Sequence, residues 1–377
     1  MFDFSELPVI DNHSHPYLFE TDGVRYEPLD SFLGLPGDRS PAALAHRDAM
    51  LYQRWATREL AAFLGCAATP AAVAAARHAV GDEADFVRRL FADERIEAIL
   101  VDTGFPQPPV DMAQFRDRVP TQILTVYRIE PPIKALLDER VGYDEFVRRF
   151  DDGLRRAIRD EGFVAVKSII AYRTGLDIDP ANASDEAGRA GLERALAEPE
   201  RMMASKTLRD HIFLRTLTLC GELGVSFHIH TGIGDADIVL ARCSPALLNE
   251  TLKQPEYGDT KVVLIHTYPY MAEASWMAGA LPNLWIDLSE GVPFALAAVD
   301  RIFETALELA PVNRVLFGTD AFSGPEQTWL GAKVAKQALA RVLTKLCERG
   351  YVVEAEAPDI AAAILAGNAR AMYDVRG

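Results

Sequence analysis

The chain has 377 residues, 49% apolar and 25% charged, values of an average soluble globular protein that exclude a disordered or fibrous chain. Thirty-nine basic against fifty-five acidic side chains leave a formal net charge of −16. That balance argues against nucleic acid and anionic membranes as partners, since both are bound through an excess of Lys and Arg.

In chain order, short apolar runs rich in β-branched residues predict eight strands: Pro8–Asn12, Ile96–Asp102, Gln122–Tyr127, Phe163–Ile169, Val225–His230, Val262–His266, Leu284–Leu288 and Val315–Gly318. Most are apolar throughout rather than alternating, the pattern of strands covered on both faces of a parallel sheet. Between them, helical periodicity predicts Tyr143–Asp160, Lys206–Leu223, Asp300–Leu309 and Lys333–Arg349. Eight strand–helix alternations in this length fit an α/β fold, a distorted (β/α)8 TIM barrel. No dinucleotide glycine fingerprint follows the first strand, which counts against an open Rossmann sheet.

The interval 16–95 is too long for one connection. It carries two helical stretches, near Ala42–Leu64 and Ala71–Phe91, joined by Gly65–Pro70. An insertion after the first strand emerges at the C-terminal mouth of a barrel, so the expectation is one domain over 1–377 with 16–95 as a helical cap. Cys66, Cys220, Cys243 and Cys347 are scattered, as reduced thiols are in a cytosolic protein. The acidic start Met1–Glu6 is unlike a signal peptide, and no apolar run reaches the ~18 residues of a spanning helix. A cytoplasmic location is therefore expected.

Polar groups that can bind a cation gather at the predicted strand ends, where barrel enzymes place their chemistry. His13 and His15 follow the first strand two residues apart, so both imidazoles point to one side. His228 and His230 share a face of the fifth strand, His266 ends the sixth, and Asp320 follows the eighth. Each alone could equally be a hydrogen-bonded core histidine or an aspartate capping the next helix. Together, nitrogen and oxygen donors of this kind suit Zn2+ or a similar divalent ion. Lys167 lies inside an apolar strand, where it must find an anion, lose its proton or be modified, unless it reaches the rim. Arg173, Tyr268, Tyr270, Glu290 and Trp329 fall near the predicted mouth as candidates to touch a substrate or to pack the rim.

This constellation resembles the amidohydrolase superfamily of metal-dependent hydrolases. The stretches Ala165–Arg173, His230–Asp235, Leu264–Tyr270 and Ile364–Tyr373 are similar to its amidohydrolase-related branch, which includes the hydrolase-like domain sometimes fused to glutamine synthetase. The resemblance implies one or two divalent ions, Zn2+ foremost, at the barrel mouth. It implies His13 and His15 as ligands of the more buried ion, and His230 and His266 as further ligands, His266 alternatively orienting water or substrate. Asp320 becomes a metal ligand that also takes the proton of the attacking water, and Lys167 a carbamate that bridges two ions. His228 is then expected to contact and orient a ligand, with the reverse assignment of His228 and His230 left open. The function implied is hydrolysis of an amide-like C–N bond in a small molecule. A non-oxidative decarboxylase and a non-catalytic ligand-binding barrel are the alternatives, and a homo-oligomer is left open.

Overall fold

The eight apolar runs all form strands in a computed structural model, which describes residues 1–19, 40–106 and 108–375. They are β1 (Val9–Ser14), β2 (Ile96–Asp102), β3 (Gln122–Arg128), β4 (Ala165–Ser168), β5 (Ser226–His230), β6 (Val262–Ile265), β7 (Leu284–Asp287) and β8 (Val315–Leu316). Neighbours in sequence are neighbours in the sheet, and every pairing is parallel. The ring closes where β8 and its extension meet β1. There the Asn12 amide donates to the Phe317 carbonyl (2.9 Å), the Asp320 amide to the His13 carbonyl (2.7 Å), and the His15 amide to the Ala321 carbonyl (2.7 Å). The fold is a (β/α)8 barrel.

Two apolar layers account for the absence of alternation in the strands. Outward residues such as Ile99, Val166, Phe227, Leu264 and Phe317 join the helices in one large core. Inward residues Ile10, Leu100, Val126, Ala165, Val263 and Leu316 form a second core inside the ring, filled from below by Ala366, Ala369 and Tyr373 of the C-terminal segment. Above this filled floor the inner face turns polar. Pairing places Arg128, Lys167 and His228 side by side across β3, β4 and β5.

The predicted helices Lys206–Leu223 and Tyr143–Asp160 form at Lys206–Leu223 and Tyr143–Arg159. The last long helix begins earlier than predicted and spans Pro325–Glu348. In the interval after β1, residues 20–39 lie outside the described residues. The rest holds four helices, α1 (Pro41–Ala49), α2 (Leu51–Leu64), α3 (Pro70–His78) and α4 (Glu83–Asp93), where periodicity predicted two. The breaks have local causes. Met50 is extended and ends α1 while starting α2, and the Asp82 side chain caps α4 by accepting from the Asp85 amide. Among the described residues no helix is long and apolar enough to cross a membrane, and the four cysteines are free.

Candidate metal centre at the barrel mouth

The strand ends bring His13, His15, Lys167, His230, His266 and Asp320 into one buried cluster. Asp320 Oδ1 lies 3.1 Å from Nε2 of His13, 3.1 Å from Nε2 of His15 and 4.0 Å from Nε2 of His266. Despite that proximity, Asp320 Oδ1 and His266 Nε2 are buried without a hydrogen-bond partner. Unpaired buried polar atoms are costly, and a cation between these four groups would satisfy them.

Three triads have donor atoms within 4.8 Å of one another: His13, His15 and Asp102; His13, His266 and Asp320; His230, His266 and Glu290. His230 belongs to this ledge, with its ring centroid 4.5 Å from that of His266 and Nε2 bonded to the Ile233 carbonyl at 2.9 Å. His228, two residues earlier on the strand, lies a layer lower. Its Nε2 is 2.7 Å from the Tyr373 hydroxyl and 3.2 Å from Ser226 Oγ, and its ring centroid is 6.5 Å from that of His13.

Electrostatics favour cation binding. Burial pushes the His13 imidazole down to about 3, with Lys167 adding to the fall, and burial also lowers His228, His230 and His266. Neutral imidazoles are the form that binds metal. Burial alone would raise the Asp320 carboxyl, but His266, His15 and His13 hold it well below the usual range. It is therefore an anion beside the imidazoles of His13 and His266, which burial keeps neutral. Glu290 is raised, by burial and then by Asp320 and Asp235.

Lys167 Nζ is 2.7 Å from His13 Nε2 and 3.7 Å from Asp102 Oδ2. Burial lowers its pKa while Asp102 partly restores it. Asp102 and Arg128, which end β2 and β3, escaped sequence reasoning. Arg128 donates to Asp102 Oδ2 through Nε (2.8 Å) and Nη2 (2.5 Å). Burial works against the Asp102 anion, but Arg128 and then Lys167 keep it ionised. Gly104 permits the pair, since a Cβ there would stand 2.4 Å from Arg128 Cδ. The available signal was the one that revealed His266: a polar residue closing an apolar strand.

The backbone at these ends is bent to aim the side chains. His266, Thr267, Glu290 and Asp320 all have positive φ, between 39° and 74°, in a region that costs non-glycine residues on the order of 1–3 kcal/mol each. Gly232, just past His230, also has positive φ, and a Cβ there would meet the Tyr268 carbonyl at 2.3 Å. Only glycine lets the strap after β5 press onto the turn after β6. Ser289 Oγ reaches His266 Nδ1 at 2.8 Å and also donates to Asp287 Oδ1. The ring is thereby oriented so that Nε2 faces the centre.

The rim candidates divide. Tyr268 is half-buried, with Ile233 donating to its carbonyl at 2.8 Å, and the Tyr270 hydroxyl donates to the Leu240 carbonyl at 3.0 Å. Arg173 follows the turn after β4. Trp329 is directed elsewhere. It is fully buried, its rings pack on Phe63 of α2 with centroids 5.2 Å apart, and its indole N–H donates to Asp93 of α4 at 2.8 Å.

Parallel barrel and strand-end donor set together define an amidohydrolase-type protein. A family model described as amidohydrolase matches residues 141–375, and the chain belongs to that family. It is 28% identical to protein fluG of Emericella nidulans over 403 residues, a match covering 98% of this chain and 46% of fluG. The chain thus spans about half the length of that curated relative. A solved structure from Lactobacillus casei ATCC 334, provisionally described as a metal-dependent hydrolase, is 28% identical with a TM-score of 0.83, covering 99% of this chain and 98% of that one. Uronate isomerase of Thermotoga maritima aligns with a TM-score of 0.65 at 14% identity, covering 98% of this chain and 95% of its own, a likeness of fold alone. Family and donor cluster support an enzyme and a divalent metal.

Proposed function

We propose that the chain is a metal-dependent hydrolase that cleaves an amide-like C–N bond in a small molecule. The observation that carries this is the unpaired Asp320 Oδ1 beside imidazole nitrogens of His13, His15 and His266. These residues, with His230, are the ones we assign to hold the ion, and Zn2+ suits their nitrogen and oxygen donors. A bound divalent ion would acidify water and polarise a carbonyl.

The chain's own groups do the rest. Asp320, ionised and close to three imidazoles, is placed to take a proton at one carboxylate oxygen and return it to a leaving nitrogen. Ser289 fixes the ring of His266. Arg128 holds Asp102 beside Lys167, and a carbamate on Lys167 would supply the negative charge that a second ion requires. The helices of 40–95 act as cover for the mouth in this reading. Tyr52 of α2 packs on Phe294 just beyond β7, with centroids 4.9 Å apart, and buries its ring there.

Two measurements test the proposal. Metal analysis of the purified protein, with native mass spectrometry to read any CO2 added to Lys167, should find bound divalent ion. A panel of small amides, lactones and carboxylated aromatics should then give hydrolysis products. Release of CO2 without hydrolysis would move the chain to non-oxidative decarboxylation, and firm metal binding without turnover would favour a ligand-binding barrel.

A further inference from the structure

Hydrogen bonds around His230 and His266 fix which nitrogen of each ring is free. His230 Nε2 lies 2.9 Å from the Ile233 carbonyl. A carbonyl only accepts, so Nε2 carries the proton and Nδ1 keeps a lone pair. Ser289 Oγ gives its hydrogen to Asp287 Oδ1, so its 2.8 Å contact with His266 Nδ1 is made by the Nδ1 proton. The lone pair of His266 is therefore on Nε2, which is buried without a partner.

Glu290 stands beside them. It is 3% exposed, its Oε2 is 3.8 Å from His266 Nδ1, and that oxygen has no hydrogen-bond partner among the described residues. The residue holds this place at φ 56°, a strained conformation for anything but glycine. His230, His266 and Glu290 offer donor atoms within 4.8 Å of one another, and the two imidazole centroids are 4.5 Å apart. They reach the mouth from β5, from the residue after β6 and from the turn after β7. Two lone pairs and a carboxylate gathered in a buried place are costly unless something positive lies between them.

We infer that His230, His266 and Glu290 bind a second divalent cation, with Glu290 as its anionic ligand. The inference rests on the reading of the barrel mouth as a metal centre and divides its donors between two ions. In the doubly loaded protein His13, His15 and Asp320 keep the first, Asp320 Oδ1 being 3.1 Å from both Nε2 atoms. His266 Nε2, farther away at 4.0 Å, goes to the second, and with one ion bound it stays available to the first. Two imidazoles and one carboxylate are a donor set that suits Zn2+ and leaves a position open for water or substrate. Burial, Asp320 and Asp235 raise the Glu290 carboxyl, and a cation offsets that cost by displacing the proton. The negative charge of Glu290 needs no modification of Lys167.

The test is Zn2+ titration of the chelator-stripped protein in buffer freed of CO2, followed by metal analysis and native mass spectrometry. The unaltered chain should take up two ions. Glu290→Gln keeps the size and removes the charge, so it should weaken one of the two by at least about tenfold and leave the other. His13→Ala should weaken the remaining ion instead, and the double variant both. Should Glu290→Gln fail to fold by circular dichroism, His230→Gln puts the same question from a different strand. A single ion in the unaltered chain, two ions at full affinity in folded Glu290→Gln, or a second ion that binds only when CO2 is restored would overturn the assignment. Binding is read without turnover. A protein that loses its ions one at a time in these variants, yet acts on no amide, lactone or carboxylated aromatic, removes the hydrolase reading and keeps this site.

Discussion

Asp320 is the residue on which the chemistry turns, because its carboxylate stands among the imidazoles of His13, His15 and His266. Asp320→Asn keeps shape and one oxygen but cannot accept a proton, so turnover should fall by about a hundredfold or more while the fold persists. Steady-state rates on the first substrate found would measure it, and an unchanged rate would remove the proton-transfer role. His13 occupies two of the three donor triads. His13→Ala should cut metal affinity by at least about tenfold, read as ion content after dialysis against a buffered metal series. The donors His13, His15, His230, His266 and Asp320 were legible in the sequence, because an imidazole or carboxylate closing an apolar strand is costly to bury unless it binds something. Asp102 and Arg128 carried the same signal in principle. They were missed because a carboxylate and a guanidinium are common at strand ends, and only the fold shows them meeting across β2 and β3.

Among the elements, the helical interval after β1 is tied to the barrel through the last long helix. Arg77 of α3 spans Glu83 and the fully buried Glu326, with Nε 2.6 Å from Glu326 Oε1, and Trp329 of the same long helix meets α2 and α4. Trp329→Phe retains the ring and loses the bond to Asp93, a cost of about 1 kcal/mol, whereas Trp329→Ala should cost about 3–5 kcal/mol. Urea unfolding measures both, and metal content should not change in either. A tryptophan after Asp320 pointed in sequence to the rim, and periodicity alone could not separate rim from seam.

A second junction joins three helices through His211, whose Nε2 is 2.9 Å from the Tyr143 hydroxyl and whose Nδ1 is 2.9 Å from the Asn182 carbonyl. Burial lowers this imidazole below its ordinary value. The unfolded chain therefore binds the proton more readily, and stability falls as pH drops below about 6.5. His211→Gln should flatten that decline in melting temperature between pH 7.5 and 5.5.

At the scale of the whole molecule, strand number, order and most boundaries followed from hydrophobic runs, since strands apolar on both faces are hard to mistake in number. β8 itself is short, Val315–Leu316, its extension still bonding to β1 at Phe317 before the chain turns at Asp320 with positive φ. If a cation links donors from β1, β6 and β8, its removal should lower stability. Chelation should reduce the melting temperature and added Zn2+ restore it, as for any ligand bound only by the folded form; an unchanged melting temperature would show that these side chains hold no ion.

The Tyr373 hydroxyl beneath His228 gives the barrel a through-axis. Tail, His228 and the ledge holding Lys167 and His13 are stacked like floors around a single stairwell, so a protease nick that frees the tail should disturb the upper landing without touching it.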